Sequence, residues 1–111
     1  LANLAANSEN QVAIAKAGGI APLVALARDG TDGQKEAAAA ALWNLALNAD
    51  NKVAISKAGG IAPLVALARG GTDGQKYAAA GALGNLASNA DNQVAIAKAG
   101  GIAPLVALAR G

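Results

Sequence analysis

The stretch from Gln11 to Asn51 reads QVAIAKAGGIAPLVALARDGTDGQKEAAAAALWNLALNADN, and it returns from Lys52 to Asn92 as KVAISKAGGIAPLVALARGGTDGQKYAAAGALGNLASNADN. The two copies agree at 34 of 41 positions. A third copy opens at Gln93 and reaches Gly111 before its last helix is due, and Leu1 to Asn10 matches the tail of an earlier copy. A strict period of this length in a helical sequence marks stacked units, each burying its apolar face on its neighbours. The chain is therefore read as one array over residues 1–111, divided into 1–10, 11–51, 52–92 and 93–111. Such a ribbon has no central core to house an active site, and its inner surface is the expected working part.

Each unit reads as three helices with fixed punctuation. Asn7, Asn48 and Asn89 stand where an N-cap is wanted, and Ser8 with Gln11 adds a capping box. Gly18-Gly19 and Gly59-Gly60 end the first helix, because glycine accepts the left-handed backbone that closes a helix. Pro22 and Pro63 fall in the first turn of the second helix, where a missing N–H costs little. Arg28 and Arg69 close that helix on the favourable end of its dipole. Thr31-Asp32-Gly33-Gln34 and Thr72-Asp73-Gly74-Gln75 are capping boxes that open a third, longer helix, from about Gln34 to Leu47 in the first copy.

Composition narrows the function. Hydrophobic residues make up 54% of the chain but aromatics only 2%, so the apolar content is Ala with Leu, Ile and Val, suited to close helix packing. With no Cys and no His, disulfides, thiolate nucleophiles and the usual zinc sites are excluded. Nine basic and seven acidic residues alternate along the chain to a net charge of +2, far from the clustered basic footprint of a nucleic-acid binder. The longest uncharged runs, Ala37 to Ala49 and Tyr77 to Ala90, are too short to span a membrane. No nucleophile–base pair, metal cluster or cofactor fingerprint is present, so neither an enzyme nor a cofactor is expected. Asp29 to Gly33 lacks the alternating acids and final Glu of a calcium loop, and Gly70 to Lys76 lacks the Gly-Lys-Ser/Thr ending of a phosphate loop. Lys16, Lys57 and Lys98 read as helix-end and solubility residues.

Short helix, Gly-Gly turn, Pro-led helix and a longer Ala-Leu helix ending in Asn-Leu-Ala resemble the armadillo repeat. Segments such as AGGIAPLVALAR and ALGNLASNADNQVAI look like that family, and the resemblance covers the whole chain. It implies an all-α, right-handed α-solenoid whose third helices line a concave groove holding an extended peptide or protein segment. An Asn late in each third helix would then hydrogen-bond the peptide backbone, and the matching positions are Asn3, Asn44 and Asn85. Importin-α-type members carry a Trp four residues before that Asn. Here those positions are Ala40 and Gly81, and the one Trp of the chain, Trp43, directly precedes Asn44.

The seven differences between the copies are informative. Gln11/Lys52, Ala15/Ser56 and Asp29/Gly70 lie outside the third helix. Glu36/Tyr77, Ala40/Gly81, Trp43/Gly84 and Leu47/Ser88 follow the spacing i, i+4, i+7, i+11, which traces one stripe along a helix at about 100° per residue. Either this stripe is an unconstrained solvated face, or its side chains set selectivity in the groove. Its Trp and Tyr, the chain's only aromatics, favour the second reading, since exposed aromatics are common binding anchors. The near-identity of the copies favours a different one, an engineered or truncated repeat scaffold with no native ligand. Two expectations follow. Gly81 and Gly84 floor a notch walled by Trp43 and Tyr77, which Trp43 closes or a ligand side chain enters. Uncovered apolar residues at the two ends, Leu1 and Leu4 against Ile102, Leu105, Val106 and Leu108, associate head-to-tail.

Overall fold

The computed structural model describes residues 18–101. Asn3, the capping box at Ser8 and both sets of end residues expected to self-associate lie outside them. Six helices follow one another: α1 (Ile20–Asp29), α2 (Asp32–Leu45), α3 (Ala49–Lys57), α4 (Ile61–Gly70), α5 (Asp73–Leu86) and α6 (Ala90–Lys98). No strand occurs among the described residues. In the sequence units, α1 and α4 are second helices, α2 and α5 third helices, and α3 and α6 first helices.

The punctuation behaves as the residue types dictate. Asn48 and Asn89 cap α3 and α6, accepting from the N–H of Asn51 and Asn92 at 3.1 and 3.0 Å. Thr31 and Thr72 form reciprocal capping boxes with Gln34 and Gln75. In each Gly-Gly pair the two glycines do different work. Gly59 and Gly100 carry φ of 79° and 83°, a backbone that other residues rarely adopt. Gly60 and Gly101 have ordinary dihedrals but no room, since a methyl on Gly60 would sit 2.7 Å from Ile55 Cγ2. The chain turns through 86° between α3 and α4 at this pair. The third helices end two residues earlier than the sequence suggested. Leu47 N–H turns back to Asn44 O and Asn48 N–H to Leu45 O, so a tight last turn frees Asn48 to cap α3.

The core runs between units. Leu42, Leu45, Ile55, Leu64, Leu83, Leu86 and Ile96 are fully buried, α2 packs beside α5, and Ala38, Ala39, Ala41, Ala79 and Ala82 of the two helices are buried as well. Ala38, Leu42 and Leu45, the side that does not vary between copies, are thus the packed side. Polar bridges add specificity to this contact. Gln75 Nε2 donates to Asp32 O at 2.9 Å, Asn92 Nδ2 to Lys52 O at 3.2 Å and Asn85 Nδ2 to Trp43 O at 2.9 Å. The bonds from Gln75 and Asn85 carry an amide donor of the later unit to a backbone carbonyl of the earlier one, and that from Asn92 joins α6 to α3. Among the described residues no buried side-chain amide lacks a partner.

Candidate functional site

The stripe of differences is the free face of the two third helices. On α2, Glu36 is exposed and Ala40 and Trp43 half-buried, with Leu47 58% exposed just beyond the helix end. On α5, Tyr77 is 69% exposed, Gly84 and the following Ser88 are exposed, and Gly81 is half-buried.

The two helices meet here in a constant register, because side chains lean toward the N-terminus of their own helix. Glu36 lies over Gly74, and Trp43 lies over Gly81. A methyl on Gly81 would overlap the indole, reaching within 2.8 Å of Cε3 as well as closer to Cδ2 and Cε2. Glycine at 81 therefore seats the ring of the preceding unit flat against the helix backbone. Tyr77, one turn earlier on α5, meets that ring edge-on, with centroids 5.4 Å apart and planes at 71°, a favourable aromatic geometry. Glu36 rests on the first turn of α5, where the helix dipole favours a carboxylate.

The expected notch is therefore divided. Trp43 roofs Gly81 alone, whereas nothing lies within 4 Å of a methyl placed on Gly84. The open part of the groove is a bare patch of helix at Gly84, next to the indole. Asn85, beside it, donates one N–H to Trp43 O, a carbonyl in the last turn of α2. Asn44 Nδ2 donates to Ala40 O of its own helix at 3.2 Å. Both Asn residues are half-buried on the edge of the stripe. The structure brings Glu36, Ala40, Trp43, Tyr77, Gly81, Gly84 and Asn85 to one face.

Two features escaped the sequence reading. Gly74 receives Glu36 of the preceding unit, a contact that its own local sequence does not announce. Gln75 is 2% exposed beneath Asp32, whereas Gln34, in an identical local sequence, is exposed. Elsewhere, Arg28, Asp32, Lys35, Pro63, Gly71, Thr72 and Gln75 help line a cleft of about 440 Å³ between α1–α2 and α4–α5. Asp32 opens α2 beside the capping Thr31, the role that displaced a calcium loop. No group of acids that could hold a metal occurs among the described residues, and no single helix there is long and apolar enough to cross a membrane.

Comparison with solved structures finds designed proteins of the same architecture. A computationally designed armadillo repeat protein for modular peptide recognition superposes with a TM-score of 0.89 at 33% identity, over 96% of this chain and 46% of that one. A designed armadillo repeat protein in complex with the peptide (KR)4 gives a TM-score of 0.89 at 31% identity, over 99% and 47%. This chain thus spans about half the length of the designed proteins it matches. No curated protein matches it. The model of the armadillo/beta-catenin-like repeat matches residues 7–47 and 48–88, adjacent segments of the same period as the sequence repeat. With most of its length covered by those two matches and its helices stacked as an all-α solenoid, the chain belongs to the armadillo repeat family.

Proposed function

We infer that the exposed stripe shared by α2 and α5 binds an extended peptide or protein segment. The observation that carries this reading is the Trp43–Tyr77 pair, two aromatics meeting edge to face on the stripe of the third helices where the copies differ. Asn85 spends one N–H on Trp43 O, and its second N–H and Oδ1 remain to engage a peptide backbone above the groove. The structural relatives that were designed for peptide recognition support the same reading. No catalytic step is assigned, since the armadillo scaffold is a non-catalytic fold. Dispersed basic residues give the face no nucleic-acid or membrane character.

Titration of Trp43 fluorescence against a pool of random extended peptides tests the reading. A saturable, sequence-dependent response is expected, and Gly84→Trp should alter binding far more than stability because the space above Gly84 is open. A flat response to every peptide, with Gly84→Trp changing stability alone, removes the reading. The result would then favour a second one, an engineered scaffold without a native ligand. Agreement at 34 of 41 positions and the designed structural relatives speak for that alternative.

A further inference from the structure

Apart from the stripe, the two units enclose the cleft of about 440 Å³ between α1–α2 and α4–α5. Its volume falls within the range of small-ligand sites. Ala27, Pro63 and Leu67 are buried along it and Ala66 is exposed beside them, so part of the lining is apolar. The polar lining is already engaged on one side and not on the other. Gln75 Nε2 donates to Asp32 O and reaches Asp32 Oδ1 at 3.4 Å, and Gln75 Oε1 accepts from Thr72 N–H. Lys35, half-buried and three residues beyond Asp32 on α2, has neither an ion-pair partner nor a hydrogen-bond acceptor for its ammonium among the described residues. Arg28 gives its Nε–H to Asp29 Oδ2 at 3.1 Å, which leaves the two terminal amino groups of its guanidinium.

We propose that this cleft binds a small amphipathic anion, an apolar body carrying one carboxylate. The apolar body covers Pro63, Ala66 and Leu67, while the carboxylate accepts from Lys35 and Arg28 in charge-assisted hydrogen bonds. An ammonium drawn partly out of water favours an anion beside it, and no carboxylate of the described residues stands within ion-pair distance of Lys35. The wall contributed by α4 and α5 carries no charge, and one of the copy differences falls on it. Gly70 lines the cleft where the first copy has Asp29, so the second copy lacks the acid that would face the ligand. The carboxylate belongs to a free acid or to the C-terminus of a chain, two sources with the same chemistry. None of these residues is on the peptide-binding stripe, so the proposal stands or falls apart from that reading.

Nuclear magnetic resonance titration of the isotope-labelled intact chain at low ionic strength tests it. The probes are phenylbutyrate, its neutral amide, and an N-acetylated Ala-Phe dipeptide with a free carboxyl group. Amide signals of Ala66, Gly71 and Thr72 should shift to saturation while the Trp43 indole N–H stays in place. Phenylbutyrate should bind about three- to tenfold tighter than its amide, and the gap should narrow as salt rises. Lys35→Gln should close most of the gap. Gly70→Asp should weaken phenylbutyrate about threefold and leave the amide unchanged; a β-carbon there meets nothing within 4 Å, so the fold is kept. Lys76→Gln, the matching lysine of the second copy, does not line the cleft and should change nothing. Tighter binding of the dipeptide than of phenylbutyrate assigns the site to chain ends, and the reverse order assigns it to free acids. Equal affinity for acid and amide, a gap that survives both Lys35→Gln and Gly70→Asp, or no saturable shift at the cleft overturns the proposal.

Discussion

Trp43 of one unit lies flat on the backbone at Gly81 of the next, in a seat that no larger residue than glycine leaves open. Ring and glycine are 38 positions apart in sequence, and the contact crosses the boundary between repeats. Gly81→Ala should therefore destabilise the array by about 1–3 kcal/mol, since the rigid ring must leave its position, even though alanine is intrinsically the better helix former. Gly84→Ala, one turn away on open helix, should stabilise it by about 0.5–1 kcal/mol. Urea unfolding of the two variants checks the opposite signs, and equal effects would show that the seat carries no constraint.

Identical residues should carry unequal weight. Gln75 caps α5 and also donates to Asp32 O from a buried position, while Gln34 caps α2 at the surface. Gln75→Ala is expected to cost about 2–3 kcal/mol, from the lost cap and an unsatisfied carbonyl at the interface. Gln34→Ala should cost about 0.5–1 kcal/mol. Thermal denaturation of the two single variants gives the comparison directly.

Asn85→Ala removes the donor that satisfies Trp43 O and should cost about 1 kcal/mol. Under the proposed function it also removes a contact to peptide backbone. Affinity should then fall for every peptide that binds, whatever its side chains. A lowered melting temperature with affinity unchanged would place Asn85 in packing alone.

Gly74→Ala tests the carboxylate without touching it. The added methyl overlaps only the far end of Glu36, a flexible side chain, so folding should be nearly unaffected or slightly favoured. The carboxylate must nevertheless leave its place over the first turn of α5. Melting of this variant beside Gly81→Ala, whose added methyl meets a rigid ring, checks the contrast.

Most of a single unit was legible. Asn48, Thr31, Thr72, the Gly-Gly pairs and the two prolines act through their own few neighbours in sequence, where local rules suffice. The arrangement between units was not, because neighbours across a stack leave no local mark. Gly74 and Gln75 meet Glu36 and Asp32 of the preceding unit, contacts that nothing in their own local sequence announces. For the candidate site the stripe itself could be read from the differences between copies. Its division into a covered Gly81 and an open Gly84 required the lean of side chains on two helices at once.

Bulk passes forward across the unit boundary, as Glu36 and Trp43 settle on glycines of the later unit, while amide donors pass backward from Gln75 and Asn85. An interface built this way has a polarity, and its two halves do not commute. Duplicating the first copy alone would set an indole above Ala40, with a methyl where its seat should be, and duplicating the second alone would leave an empty furrow over Gly81. The module that can be duplicated without loss of this contact is therefore the ordered pair, not the single copy.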